Sequence, residues 1–368
     1  MPARANSTAV INPVSPAPTT TTSAERLSSS NGFGGDAPSA RSANHKEVIA
    51  SQYPRAQTPN DLGSRGGAPI NERPAAPGMN DASTGNASAT EPTRRKAATP
   101  VQIDVTFVGT ATTLIRFGDI TLLTDPNFLH QGQHAYLGYG LWSRRRRPPA
   151  LQVDDLPPLD AVVLSHLHGD HWDRVAERGL DRAVPIVTTT HAAPRLQRRG
   201  FAAARGIDTW DNVTVSHGAA SVTMTSLPGK HAPTPVDRLL PPVMGTMLEF
   251  TTSAEAAPRR LYVSGDTLLI EELDEIPVRC GAIDAGILHL GGTRLPAGNK
   301  LPFGLTVTMD GRQGTEAVQR LGLPRVIPVH FDDYAVFASP RQDFIDSMTA
   351  RGLADRVVVL ERGHTVSL

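Results

Sequence analysis

The sequence predicts an α/β domain preceded by a long segment that builds no core. From Val101 onward, short runs rich in β-branched residues recur between Gly, Pro, Asp and Thr, the pattern of strands. Helical periodicity falls between these runs and mostly after them. The first 98 residues are instead Ala, Ser, Thr, Pro, Asn and Gly, with Phe33 and Tyr53 as their only aromatic side chains. Such a segment cannot bury enough apolar surface to offset its chain entropy, so residues 1–98 are expected to be a disordered tail. Arg94-Arg95-Lys96 closes it and reads as solvated linker. Residues 99–368 are then one domain, long enough for a full core.

Val101–Val108 alternates and opens the domain as a strand; Ala111–Phe117 and Ile120–Leu123 follow it, each bounded by turn residues. Further strands are expected at Ala161–Leu164, Ile186–Thr189, Val213–Val215, Ser221–Leu227, Met244–Thr251, Leu261–Val263, Gly286–Leu288, Val326–Val329 and Val357–Leu360. Gln313–Leu321 sets Ala317, Val318 and Leu321 on one helical face, and Pro340 opens a second helix that runs to about Ala350. Hairpins first, then strands alternating with helices, describe a mixed sheet system with helices outside.

A formal net charge of +0 offers no electrostatic case for nucleic acid or an anionic membrane as the main partner. The one cysteine, Cys280, excludes both a disulfide framework and a cysteine-based zinc site within the chain. No apolar run reaches the roughly 18 residues of a membrane span, and the N-terminus lacks a secretory apolar stretch. A cytoplasmic location is the expectation.

The decisive segment is Ala161-Val-Val-Leu-Ser-His166-Leu-His168-Gly-Asp170-His171-Trp172. An apolar strand ends at Ser165, and three histidines with an aspartate follow within six positions. Imidazole and carboxylate lone pairs suit zinc or iron. In an extended loop His166 and His168 point the same way and can grip one ion, while Asp170 and His171 lie a turn further on, within reach of a second.

This pattern after an apolar strand resembles the signature of the metallo-β-lactamase superfamily, over essentially all of residues 101–368. The resemblance implies a four-layer αββα sandwich with a metal site at one edge, between the sheets. It implies two divalent ions, zinc first, with iron or manganese as alternatives. His166, His168 and His231 would hold the first; Asp170, His171 and His330 the second; Asp266 would bridge. Each later residue follows an expected strand: His231 after Ser221–Leu227, Asp266 after Leu261–Val263, His330 after Val326–Val329. The implied chemistry is attack by a metal-bound hydroxide on an ester-like bond, with Asp170 also orienting the nucleophile. Asp125 resembles the family's early aspartate and is expected to anchor a ligand histidine.

Within the superfamily, the likeness is nearest to the branch of N-acyl phosphatidylethanolamine phospholipase D and the ascorbate-phosphate lactonases. Asp125-Pro126, Arg147-Pro-Pro-Ala150, Asp155-Leu-Pro-Pro-Leu-Asp160, Asp237, Val243-Met-Gly245 and Ser264-Gly-Asp266-Thr267 carry it. His168 stands where oxygen-reducing di-iron relatives have an acid, which argues against redox chemistry. No spare 60-residue insertion marks an RNA-processing relative. Two departures point away from a phospholipid: Asp310 replaces a histidine ahead of the late helix, and Leu167 and Gly169 replace bulkier polar residues. A phosphodiester is therefore the first expectation and a lactone or carboxylic ester the second, the substrate being a small-molecule or lipid-like ester. A metal-binding domain without turnover and a membrane-associated lipase are the rivals.

Asp310 could orient water or bind substrate, and His289, at the end of an apolar run, could touch substrate. Arg144 to Arg147 reads as a solvated loop before a phosphate clamp. Tyr136, Tyr139 and Trp142 form either a wall over the pocket or ordinary packing. His130, His134, His191, His217 and His364 read as surface residues, and Asp332 and Asp333 either tie down His330 or begin a turn.

Overall fold

Alternation along each strand decides which side chains face which layer. In Asp104–Gly109, Thr112–Phe117, Ile120–Thr124 and Ala161–Val163, one set of side chains (Val105, Phe107, Ile115, Phe117, Ile120, Leu122, Val163) points to a central core. The opposite set, with Leu114, Leu123 and Val162, packs under α1 (Arg174–Gly179) and α2 (Ala193–Arg198). A second sheet supplies the other half of the central core through Val213, Val215, Val222, Met224, Leu248, Val263, Ile287 and Val329. Its outer face packs against α3 (Glu275–Cys280), α4 (Gly311–Arg320) and α5 (Arg341–Ala350) through Ile276, Ala317, Val318, Phe344 and Met348. The layers are therefore helix, sheet, sheet, helix, as expected. This computed structural model describes residues 8–11, 101–253, 257–296, 298 and 304–368.

The first sheet runs, in spatial order, Thr365–Ser367, Asp104–Gly109, Thr112–Phe117, Ile120–Thr124, Ala161–Val163, Ile186–Thr189, Ala204–Ile207. The second runs Thr8–Ile11, Asn212–His217, Ala220–Leu227, Gly245–Thr252, Arg259–Val263, Ala285–His289, Val326–Val329. Both are mixed: antiparallel hairpins pass into parallel pairs, and in the second sheet Thr8–Ile11 adds a further parallel pair at the hairpin side.

Four residues depart from the reading of 1–98 as a tail without structure. Thr8–Ile11, a β-branched stretch, pairs in parallel with Asn212–His217, whose outer edge offers unpaired backbone groups. The rest of that reading lies outside the described residues.

Val357–Leu360 is not the expected strand. Val357 makes an isolated bridge to Val326, and the chain pairs properly only at Thr365–Ser367. The helices α1, α2 and α3, six residues each, are too short to show a 3.6-residue period and were not legible in the sequence.

Candidate metal centre

Six of the polar residues singled out in the sequence sit where a strand runs out. Asp125 follows Ile120–Thr124, His166 follows Ala161–Val163, and His231 follows Ala220–Leu227. Asp266 follows Arg259–Val263, His289 ends Ala285–His289, and His330 follows Val326–Val329. Because these strands are parallel or two steps apart in antiparallel pairing, their C-terminal ends share an edge within each sheet. The fold thereby gathers side chains more than 200 positions apart.

His166, His168 and His231 converge first. His166 Nε2 lies 3.0 Å and His231 Nε2 3.2 Å from His168 Nδ1. His231 Nδ1 lies 2.9 Å from the Asp266 carbonyl oxygen; donating there leaves the Nε2 lone pair facing the cluster. Three nitrogens at such spacing cannot all carry protons. Burial holds His166 well below the usual imidazole range, with the neighbouring rings adding to the effect. Burial, then His231, pushes His168 down to about 3, and burial also lowers His231.

Asp170, His171, Asp266 and His330 form a second group beside it. His171 Nε2 is 3.3 Å from Asp266 Oδ2, His330 Nε2 is 3.5 Å from Asp170 Oδ2, and His330 Nδ1 is 3.4 Å from Asp266 Oδ1. Burial alone would push His171 down, but Asp266, Asp170 and Asp125 raise it well above the usual range. Burial would likewise raise Asp266, yet His330 and His171 hold its carboxyl well below the ordinary carboxylate value. The carboxylate expected to bridge thus falls within the second group, while its backbone carbonyl reaches His231 of the first.

The donor set fits divalent metal. Each group's ligand atoms lie within 4.8 Å of one another, and every residue in both is buried. His168 Nε2, Asp170 Oδ1, both ring nitrogens of His171 and both of His330 are buried without a hydrogen-bond partner. Orphaned buried donors and acceptors are costly, and here they cluster instead of being scattered.

The supporting residues sort themselves by contact. Asp125 accepts from the Ser165 backbone at 2.7 Å and sits 3.2 Å from His171 Nδ1. His289 is fully buried; its Nδ1 is 3.0 Å from Asp266 Oδ1, and its ring stacks on His171 and His330. It braces Asp266 inside the cluster. Asp310 caps α4, accepting from the Gln313 backbone N–H at 2.9 Å, and lines a separate cavity with Arg312 and Asp343. Asp333 accepts from the Thr110 N–H at 2.7 Å, and the Thr110 carbonyl in turn accepts from the His330 N–H at 2.7 Å, so Asp333 does tie down the His330 turn.

The arginine run splits. Arg144, Arg146 and Arg147 are exposed, but Arg145 is wholly buried, donating to the Asn127 carbonyl at 2.9 Å and lying 3.6 Å from Asp333 Oδ1. Neither a solvated loop nor a phosphate clamp describes it. Thr293 also escaped sequence reasoning. Buried, its hydroxyl without a partner, it lines a small cavity with Leu137, His168, Asp170, His231, Asp266, Leu295 and Val307.

With this architecture in view, comparison with known proteins is decisive at the family level: a family model described as a beta-lactamase superfamily domain matches residues 121–331. The chain belongs to that superfamily. With its buried His/Asp cluster it is a metal-dependent hydrolase of the beta-lactamase superfamily. It is similar to a UPF0173 metal-dependent hydrolase of Anaeromyxobacter sp. (strain K), 25% identical over 228 residues, or 61% of this chain and 77% of the relative. A solved structure of a possible metal-dependent hydrolase from Veillonella parvula DSM 2008 superposes with a TM-score of 0.60 at 23% identity, covering 73% of this chain and 100% of that one. The isothiocyanate hydrolase from Delia radicum gut bacteria gives 0.58 at 21% identity, over 72% and 100%. At such identities both structures speak for the fold alone. Among the described residues, no helix is long and apolar enough to cross a membrane.

Proposed function

We propose that this superfamily member is a dinuclear hydrolase of ester-like bonds, with a phosphodiester as its first substrate class. The carrying observation is the pair of adjoining buried donor groups, three histidines beside two histidines and two aspartates, of which His168 and Asp170 keep unsatisfied atoms and line one small cavity with His231 and Asp266. His166, His168 and His231 would hold one ion; Asp170, His171 and His330 the other, with Asp266 between them. Divalent ions there, zinc first, would supply a Lewis acid and lower the pKa of water toward about 7.

The chain's own residues do the positioning. Asp170 has an unpartnered Oδ1 in this cavity and is the residue to accept a hydrogen bond from the attacking water and hold it in line. The Thr293 hydroxyl is free to donate to the oxygen that gains charge. Leu137, Leu295 and Val307 line the same space and exclude bulk water, which strengthens every polar contact inside. Asp310, spent on a helix cap, leaves no added acid to protonate a poor leaving group, which favours activated or stabilised leaving groups. A lactone or carboxylic ester is the second reading, consistent with the likeness to the phospholipase D and ascorbate-phosphate lactonase branch.

The test pairs metal content with turnover of bis-p-nitrophenyl phosphate and a panel of lactones, for the wild type and Asp170→Ala. Two metals per chain, with phosphodiester cleavage lost in the variant, are the expected result. Lactone opening alone would shift the substrate class, and less than one metal per chain after loading would end the dinuclear reading.

A further inference from the structure

Two surface cavities meet at His168. One is lined by Trp142, Trp172, Arg174, Arg178 and Arg182; the other by Tyr139, Arg195, Arg238 and Leu239; Tyr136, Leu167, His168 and Arg199 belong to both. Their roof is the hairpin His134–Tyr136 and Trp142–Arg144, with the turn between. It rests directly on the histidine loop: the Gly169 N–H donates to the Tyr136 carbonyl at 2.9 Å, and a Cβ at Gly169 would stand 2.6 Å from that oxygen. Glycine at 169 is thus what lets the hairpin sit over His168. At the far side, the Tyr139 hydroxyl donates to the Leu239 carbonyl and joins the hairpin to the segment around Val236–Arg238.

The groove's surface is unusual in two ways. Tyr139, Leu239 and Trp142 are 67%, 65% and 59% exposed, an apolar group left in water beside a buried polar centre. Around it the charge is one-sided: Arg174, Arg178, Arg182, Arg195, Arg199 and Arg238 line the two cavities, against the carboxylates Asp173, Glu177 and Asp237. Glu177 is engaged by Arg199 at 3.0 Å. Arg195 and Arg238 have no carboxylate partner among the described residues, and Asp237, the carboxylate in their cavity, lies 3.9 Å from Lys230 Nζ. Guanidinium groups next to exposed rings suit a flat or apolar body that carries a negative group.

We propose that this groove is the substrate-selecting subsite and takes an anionic ester with an apolar or aromatic arm. Its anionic group, separate from the bond being cleaved, lies against Arg195 and Arg238, and its apolar arm against Tyr136, Tyr139 and Leu239. This deepens the hydrolase reading and rests on it for the word substrate, but the binding stands on charge and shape.

Calorimetric titration of the metal-loaded full chain with 2-naphthalenesulfonate, a weak metal ligand, and with neutral 2-naphthol tests it. The sulfonate is expected to bind at least about tenfold tighter. The double variant Arg195→Gln/Arg238→Gln should erase that preference, and Tyr139→Ala should weaken both ligands. Arg198→Gln, on the same helix but outside both cavities, should leave the preference intact. Equal binding of the two ligands, or a preference that survives the double variant, overturns the proposal. Sulfonate binding in a chain that cleaves no ester would instead uphold the groove and remove the hydrolase reading.

Discussion

His171 Nδ1 stands 3.2 Å from Asp125 Oδ2, while His171 Nε2 stands 3.3 Å from Asp266 Oδ2. The ring is held from behind by one carboxylate and presented to a second. Asp125 does this from a left-handed backbone, φ 38°, which an aspartate or asparagine tolerates better than most residues. Asp125→Asn keeps that backbone and removes the charge. Metal affinity at the second group should fall by about 10–100-fold, read by competition with a chromophoric chelator. Two equivalents bound as tightly as in the wild type would show that the contact is only structural.

Thr293 separates a working hydroxyl from an idle one. Burying an unpaired hydroxyl costs stability, so Thr293→Val should leave the melting temperature unchanged or raise it. If the hydroxyl stabilises developing charge, kcat should drop on the order of 100-fold with little change in KM. Thr293→Ser should recover most of the rate. A Val variant as fast as the wild type would assign Thr293 to packing.

The two groups should part company with pH. His171 is raised well above the imidazole range, so filling the second group displaces a proton, and binding there strengthens as pH rises toward that raised value. His166 and His231 are lowered and His168 lies at about 3, so the trio has little proton to lose near neutrality. Equilibrium dialysis from pH 8 to 5 should release one equivalent well before the other; release at a common midpoint contradicts this. In the metal-free chain the linkage reverses for His171. Its stabilisation is full below its unfolded pKa of about 6.5 and fades as pH climbs through the raised value. The Asp266 contribution is present above about 3.9 and is lost as pH falls through its depressed value.

Among the four consecutive arginines, Arg145 alone should matter to stability. Arg145→Gln leaves the buried Asp333 short of a cation and should cost about 3–5 kcal/mol. Arg362, 2.8 Å from Asp333 Oδ1, sets that estimate toward its lower end. Arg146→Gln, fully on the surface, should stay within about 0.5 kcal/mol. Urea unfolding of both variants measures the contrast, and equal midpoints would contradict the burial argument.

Residue chemistry at short range was open to reading from the start. His166, His168, Asp170 and His171 lie within six positions, so their spacing alone implies a shared site. His231, Asp266 and His330 were expected beside them from the family resemblance, and each follows an apolar β-branched run. Alternation and periodicity alone reached only an α/β class with helices outside mixed sheets; the four layers were implied by the family resemblance. Arg145 was not readable, since nothing local distinguishes it from Arg146; only the approach of Asp333, 188 positions later, decides that its charge is buried. Gly169 looked like a mere departure from a motif until the Tyr136 carbonyl was found against it. His289 was a candidate for the pocket from its strand end, but packing sets it against Asp266, and Thr293, four residues on and marked by no local signal, lines the cavity wall. The sequence by itself determined most of the strands, the two longer helices and the His/Asp chemistry of the motif loop, because these follow from local periodicity and side-chain identity. Which groups are buried, braced, free or facing substrate was decided by tertiary structure, because burial and hydrogen-bond satisfaction depend on partners that the chain brings together only when it folds.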